Sequence, residues 1–238
     1  CEMGGKNPII VDETADIDLA VELSVGGAYG GAGQACTATS RAIVFESVYD
    51  EYLSTLTDTV ESMRVGDPSD ESVDMGPKVT EDSLEGDLQY IATAKDEGAT
   101  VAVGGERIDD LEGHFIEPTV LTDVDPHDTI AQEEVFGPVL AVLSVDGWSE
   151  AIGVANGVEY GLSASICTNR LDRAKEFAAD IQTGVVKINQ TSTGVELQMP
   201  FGGRKRSSTE TFKEQGRQAL DFYTHEKAIY MTHFHADE

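Results

Sequence analysis

One cysteine and one glutamate, each set among small residues, carry the chemistry of this sequence. Cys36 stands in Gly31-Ala32-Gly33-Gln34-Ala35-Cys36-Thr37-Ala38-Thr39-Ser40-Arg41, where an apolar helical pattern ends. Small neighbours let a substrate reach the thiol. A loop at a helix end can aim backbone N–H groups at a developing oxyanion, and the same groups favour thiolate. Glu2 opens Glu2-Met3-Gly4-Gly5-Lys6, where a carboxylate beside a Gly-Gly turn could activate water. A thiol and a hydrolytic base are the two parts needed to make and then hydrolyse an acyl-thioester. Taken singly, each has an ordinary reading: a lone Cys is more often a small buried hydrophobe, and a Glu beside a turn is more often solvated.

Two further clusters invite the same weighing. In Gln132-Glu133-Glu134-Val135-Phe136-Gly137-Pro138-Val139 a carboxylate could hold both hydroxyls of a ribose and a Phe could pack on a flat ring; otherwise the segment is a turn before a strand. Asn189 is followed by Met199-Pro200-Phe201-Gly202-Gly203-Arg204-Lys205-Arg206, where glycines permit close approach and three cations could attract an acidic substrate, or simply form a basic loop. Lys6 is either solvated or positions a nearby carboxylate. His233-Phe234-His235 lacks further ligands and reads as a tail, so no metal site is expected. Cys1, Cys36 and Cys167 show no C-x-x-C spacing. That pattern fits a reducing cytoplasm, with Cys167 in a buried strand.

The elements that must position these groups alternate along the chain. Strands are expected at Pro8–Val11, Ala42–Phe45, about 118–121, 138–144, 162–168 and Val185–Ile188, and a short apolar run, Val101-Ala102-Val103, leads into Gly104-Gly105. Helical spacing joins Ile17, Val21, Val25 and Tyr29. It recurs from a Ser47 cap through Tyr49, Leu53, Leu56, Val60 and Met63, and again through Leu84, Leu88 and Ile91 to Gly98. Further helices are expected near 147–156 and over Arg173–Ile181. This alternation predicts an α/β domain with a largely parallel sheet flanked by helices. Phe222–Tyr230 has strand-like residues that would pair outside that sheet.

The chain has 238 residues, enough for a full core, and a net charge of −28 from 44 acidic and 16 basic residues. Such a surface disfavours nucleic acid and anionic membranes as partners. The acid is spread along the chain, as in a protein adapted to a high-salt cytoplasm. No apolar run reaches membrane-spanning length. The chemical motif begins at residue 2 and the chain starts with Cys rather than Met, which predicts that an N-terminal portion is missing.

Together the four clusters resemble, in order and approximate spacing, the aldehyde dehydrogenase superfamily. Glu2-Met3-Gly4-Gly5-Lys6 resembles its glutamate motif and Gly33-Gln34-Ala35-Cys36 its cysteine motif. Glu133–Pro138 and Pro200–Gly203 resemble two later signatures. Cys36–Arg41, Gly194–Gly203 and Glu214-Gln215-Gly216-Arg217 look like its α-ketoglutarate semialdehyde (2,5-dioxopentanoate) dehydrogenase branch. The resemblance covers nearly the whole chain as the catalytic half of a protein about twice this length. It implies three parts: residues 1–6 as the end of a missing Rossmann-like cofactor domain, 7–209 as the catalytic domain, and 210–238 as a C-terminal helix, oligomerisation strand and tail.

The resemblance also implies roles. Cys36 would attack the aldehyde, hydride would pass to NAD or NADP, and Glu2 would activate water to release the acid. Gly4, Glu134 and Phe136 would border the cofactor, with Glu134 on the nicotinamide ribose. Asn189 and Phe201 would border the substrate channel. The partners implied are a small aldehyde, the absent cofactor domain and further copies of the chain. Two alternatives stay open: a CoA-acylating relative, against which Glu2 argues, and an inactive fragment or structural protein.

Overall fold

A computed structural model describes residues 3–209 and 213–233. Glu2, expected as the base, lies outside the described residues, as do Phe234 and His235. In chain order the elements are β1 (Asn7–Val11), α1 (Ile17–Tyr29), a short 3-10 turn (Gly30–Gly33), β2 (Thr39–Phe45), α2 (Glu46–Glu61), α3 (Glu81–Glu97) and β3 (Thr100–Val103). They continue with β4 (Thr119–Thr122), α4 (Thr129–Gln132), β5 (Val139–Val145), α5 (Trp148–Asn156), β6 (Tyr160–Gly161), β7 (Ser163–Cys167), α6 (Leu171–Asp180), β8 (Val185–Ile188), β9 (Arg204–Lys205) and α7 (Gln218–Tyr223).

The main sheet runs β3-β4-β5-β2-β1-β7-β8, parallel throughout except for antiparallel β3. Side chains alternate across it with the strand period of two. Ile9, Val11, Ala42, Val44, Leu140 and Val142 pack under α1 and α2. Ile10, Ile43, Phe45, Ala164 and Ile166 face α5 and α6, and Leu121, Ala141 and Leu143 face α3 and α4 on that same side. Burial on both faces is why the central strands read as unbroken apolar runs.

Local chemistry sets the helix ends. Asp16 caps α1 by accepting from Leu19 N. Thr80 caps α3 through Ser83 N, and Gly98 closes α3 in the left-handed region at φ 112°. Two sequence expectations need correction. Ser47 does not cap α2: the strand runs straight into the helix at Phe45, whose ring must be buried, and Ser47 falls in the first turn. Phe222 and Tyr223 end a short helix rather than begin a strand. A strand needs a ladder partner, and among the described residues 224–233 have none.

Cys167 lies in β7, 1% exposed, with its thiol pushed up to about 11, chiefly by burial. This agrees with an inert core cysteine. No helix among the described residues is long and apolar enough to cross a membrane.

Candidate active site

Parallel strands place their N-terminal ends along one edge of the sheet. Three of the sequence clusters lead into those ends: Gly4–Lys6 into β1, the Cys36 loop into β2, and Glu134–Pro138 into β5. The Cys36 loop leaves α1 through Gly31 and Gly33, both at positive φ, and Cys36 itself is half-buried.

Buried side chains hold that loop by its carbonyls. Asn7 Nδ2 donates to Cys36 O at 2.9 Å and to Ala38 O at 2.8 Å, while Asn7 Oδ1 accepts from Ser163 N at 3.0 Å. Ser192 Oγ donates to Thr37 O at 2.8 Å and lies 2.7 Å from Thr39 Oγ1. Each hydrogen bond removes a freedom the loop would otherwise have, so the thiol is carried on a fixed backbone.

Gly5 is where the clusters meet. Its N–H donates to Glu134 Oε1 at 2.9 Å, and a Cβ built on it would stand 2.6 Å from Cys36 O. Gly4, at φ +60°, lies against the same carboxylate, since a Cβ there would come within 2.6 Å of Glu134 Oε2. Any side chain at either position would displace the glutamate or the Cys36 loop. A third close approach ties the turn to the loop: a Cβ on Gly33 would meet Gly137 O at 2.2 Å. The crevice between these segments is lined by Gly5, Gly33, Ala35, Ser40, Glu134 and Phe136.

The two neighbouring glutamates face differently. Glu133 accepts from Tyr90 Oη at 3.0 Å, whereas Glu134 turns to Gly5. Burial raises the Glu134 carboxyl above its usual range, and the Gly5 N–H and the Lys6 charge pull it back. Phe136 stands beside it at φ +60° with its ring 45% exposed. Glu134 is thus backed by bare glycine, with the exposed Phe136 beside it.

Lys6 is 2% exposed, not solvated, and its Nζ meets no hydrogen-bond partner among the described residues. Burial first, then the Arg41 charge, lowers its amine from 10.5 to about 7. Arg41, 1% exposed, donates to Lys6 O, Val154 O and Ala155 O, fastening β1 and the C-terminal carbonyls of α5.

The remaining predicted residues lie elsewhere. Asn189 uses its amide on Thr168: Oδ1 accepts from Thr168 N at 2.9 Å and Nδ2 donates to Thr168 O at 3.0 Å. At φ 52° it reverses the chain after β8 so that Ser192 returns to the Cys36 loop. Phe201 lines a separate depression over β8 with Val185, Val186, Met199 and Gln215. Of the three cations, Lys205 caps α5 through Asn156 O and Val158 O, and Arg206 pairs with Glu159 at 2.7 Å. Sequence reasoning missed Asn7 and Ser192. The only signal was a polar residue, Asn7, wedged between the Gly-Gly turn and a strand.

The aldehyde dehydrogenase family model matches residues 1–229. The chain is 51% identical over 234 residues to the α-ketoglutarate semialdehyde dehydrogenase of Haloferax volcanii, covering 96% of this chain and 48% of that protein. It is 43% identical over 233 residues to the α-ketoglutaric semialdehyde dehydrogenase of Bacillus subtilis, covering 97% and 48%. The crystal structure of betaine aldehyde dehydrogenase from Staphylococcus aureus in complex with NAD+ superposes with a TM-score of 0.90 at 40% identity, over 93% of this chain and 44% of that one. The chain thus spans about half the length of the relatives it matches.

Proposed function

The chain belongs to the aldehyde dehydrogenase family, and from that premise we propose that it is the catalytic half of an NAD(P)-dependent enzyme oxidising α-ketoglutarate semialdehyde to 2-oxoglutarate. The observation that carries this reading is the convergence at Gly5 of the Cys36 loop and the Glu134 carboxylate. Relatives named as α-ketoglutarate semialdehyde dehydrogenases support the substrate.

In this reading Cys36 Sγ adds to the aldehyde carbon, and the Cys36 backbone N–H donates to the oxygen that gains charge. Glu134 and Phe136 would hold a nicotinamide dinucleotide, which would supply the hydride acceptor, and loss of hydride from the Cys36 adduct would leave a thioester on Cys36. Glu2 then takes a proton from water, the hydroxide adds to the thioester carbonyl, and the acid departs as the thiolate is restored. Gly4 and Gly5 keep the floor of the site flat. The other half of the longer polypeptide contributes the rest of the cofactor site, and the assembly works as a homo-oligomer in a salt-rich cytoplasm.

The test is an assay of the chain joined to its cofactor-binding half, with α-ketoglutarate semialdehyde, NAD+ or NADP+, and high salt. Dinucleotide reduction with release of free acid is expected. Cys36→Ser abolishes it, and Glu2→Gln leaves a single burst with acyl-enzyme trapped. The isolated 238-residue chain gives no turnover. Product released only when CoA is added would overturn the hydrolytic reading.

A further inference from the structure

Among the described residues, one ion pair has both partners buried. Lys78 and Asp87 have side chains 0% and 1% exposed, with Nζ 2.9 Å from Oδ2. Lys78 belongs to the segment before α3, and Asp87 projects from α3 itself. Neither was singled out by the sequence.

Their surroundings explain what they hold. Lys78 Nζ donates to Phe136 O at 2.5 Å, and a Cβ on Gly137 would fall 2.3 Å from Asp87 Oδ1. The turn carrying Glu134 and Phe136 therefore lies directly on the pair. Phe136 is at φ +60°, a conformation a bulky residue adopts only when its surroundings enforce it. Two contacts bear on the turn there: the Lys78 donor on the Phe136 carbonyl and the Asp87 carboxylate against Gly137. The segment around Lys78 is fixed in turn: its N–H donates to His114 O at 2.8 Å, Gln34 Nε2 donates to Pro77 O at 3.3 Å, and Gln34 Oε1 accepts from Val79 N at 2.8 Å. Gln34 is two residues before Cys36, so the same short segment is bound to both the nucleophile loop and the Phe136 turn.

Burying two charges carries a desolvation cost that an apolar pair of equal size avoids. An apolar pair would fill the space but leave Phe136 O without a donor. We propose that Lys78, aimed by Asp87, is a positioning residue: it grips the Phe136 carbonyl and so sets the Glu134–Gly137 turn in the geometry that receives the dinucleotide. The assignment of that turn to the dinucleotide rests on the function proposed above. The grip on the turn does not.

Two paired substitutions test it. Lys78→Met with Asp87→Leu removes charge and donor together; Lys78→Gln with Asp87→Asn removes the charge but keeps an amide to donate to Phe136 O. In the 238-residue chain, hydrogen exchange over residues 134–139 should accelerate about tenfold or more in the Met/Leu variant and return toward wild type in the Gln/Asn variant. Exchange in α6 should stay unchanged in both. In the longer enzyme, the Met/Leu variant should weaken dinucleotide binding about tenfold by equilibrium titration. The aldehyde KM and the rate of Cys36 alkylation by iodoacetamide should hold. A folded Met/Leu variant with unaltered exchange at 134–139 overturns the proposal. So does equal loosening in the Gln/Asn variant, or an aldehyde KM that rises in step with dinucleotide binding. If the wild-type longer protein binds no dinucleotide, the functional reading fails instead, and the exchange measurement still decides whether the pair holds the turn.

Discussion

At the scale of single residues, Cys36 was legible as a candidate because it stands among Gly, Ala and Thr at the end of a helical pattern. Those neighbours alone left a buried hydrophobe as the commoner reading, and only three further clusters in order made the case for a nucleophile. Asn7 was not legible, because its role depends on hydrogen bonds to carbonyls 29 and 31 residues away. Truncating Asn7→Ala would orphan the Cys36 and Ala38 carbonyls and the Ser163 N–H together. At roughly 1–3 kcal/mol for each buried group left unpaired, the chain should lose about 3–9 kcal/mol in denaturant titration. Iodoacetamide labelling of Cys36 should change while Cys167 stays unreactive. An unaltered Cys36 labelling rate would remove Asn7 from the account of the nucleophile.

Lys6 carries a pH signature of known sign. Burial lowers its amine from the usual 10.5 of a lysine to about 7 in the fold, so between those values the folded chain binds fewer protons than the unfolded one. The cost of burying the charge is therefore complete below about pH 7 and fades as pH climbs toward 10.5. Replacing it, Lys6→Met, should stabilise the isolated chain at neutral pH by up to about 5 kcal/mol. That advantage should shrink steadily on going to pH 9 and above, and a pH-independent gain would contradict the burial argument.

At the scale of elements, periodicity gave six of the seven strands of the main sheet and five of the helices, because burial on one or two faces writes itself into the sequence as period 3.6 or 2. It did not give α4, which at Thr129–Gln132 is too short to show a period, nor the two-residue strands β6 and β9. At the C-terminus, Phe222 and Tyr223 close a short helix although their composition is strand-like, because composition is only half of a strand and the other half is a neighbour. Loop contacts are likewise invisible in advance. Gly33 reads as a flexible spacer, yet it is the point where the Cys36 loop meets the Phe136 turn. At φ +66° and with a built Cβ 2.2 Å from Gly137 O, Gly33→Ala should separate the two segments. The expected losses are about 2–4 kcal/mol, combining left-handed strain with a backbone clash, and weaker dinucleotide binding in the longer enzyme. Gly30→Ala, where a built Cβ meets nothing within 4 Å, is the control and should cost under about 1 kcal/mol.

At the scale of the molecule, the charge dominates. A net −28 on 238 residues repels itself over distances that salt controls: the screening length is about 10 Å at 0.1 M and about 3 Å at 1 M. Raising KCl from 0.1 to 2 M should therefore stabilise the chain by a few kcal/mol, or roughly 5–10 °C in midpoint for a chain of this size. A midpoint that is flat or falls with salt would mean that the acidic residues are paired or dispersed enough to be neutral to folding. Several apolar side chains lie open around the C-terminal segment, among them Leu220, Tyr223, Ile229 and Tyr230, so the same salt series should be read at more than one protein concentration to separate folding from association.

The peptide unit at Gly5 has a consequence for how such a scaffold can diversify. One N–H and one bare α-carbon serve as a party wall between the thiol loop and the Glu134 carboxylate, and neither has a side chain that could be exchanged. Selection, or a designer, wishing to alter what the enzyme accepts has no dial at the wall itself. The available dials lie one layer out, at positions such as Asn7 and Lys78, whose side chains hold the carbonyls of the Cys36 loop and the Phe136 turn. There a change reaches Cys36 and Glu134 only through backbone, so new specificities should arise by small shifts of turn and loop rather than by new groups at the centre.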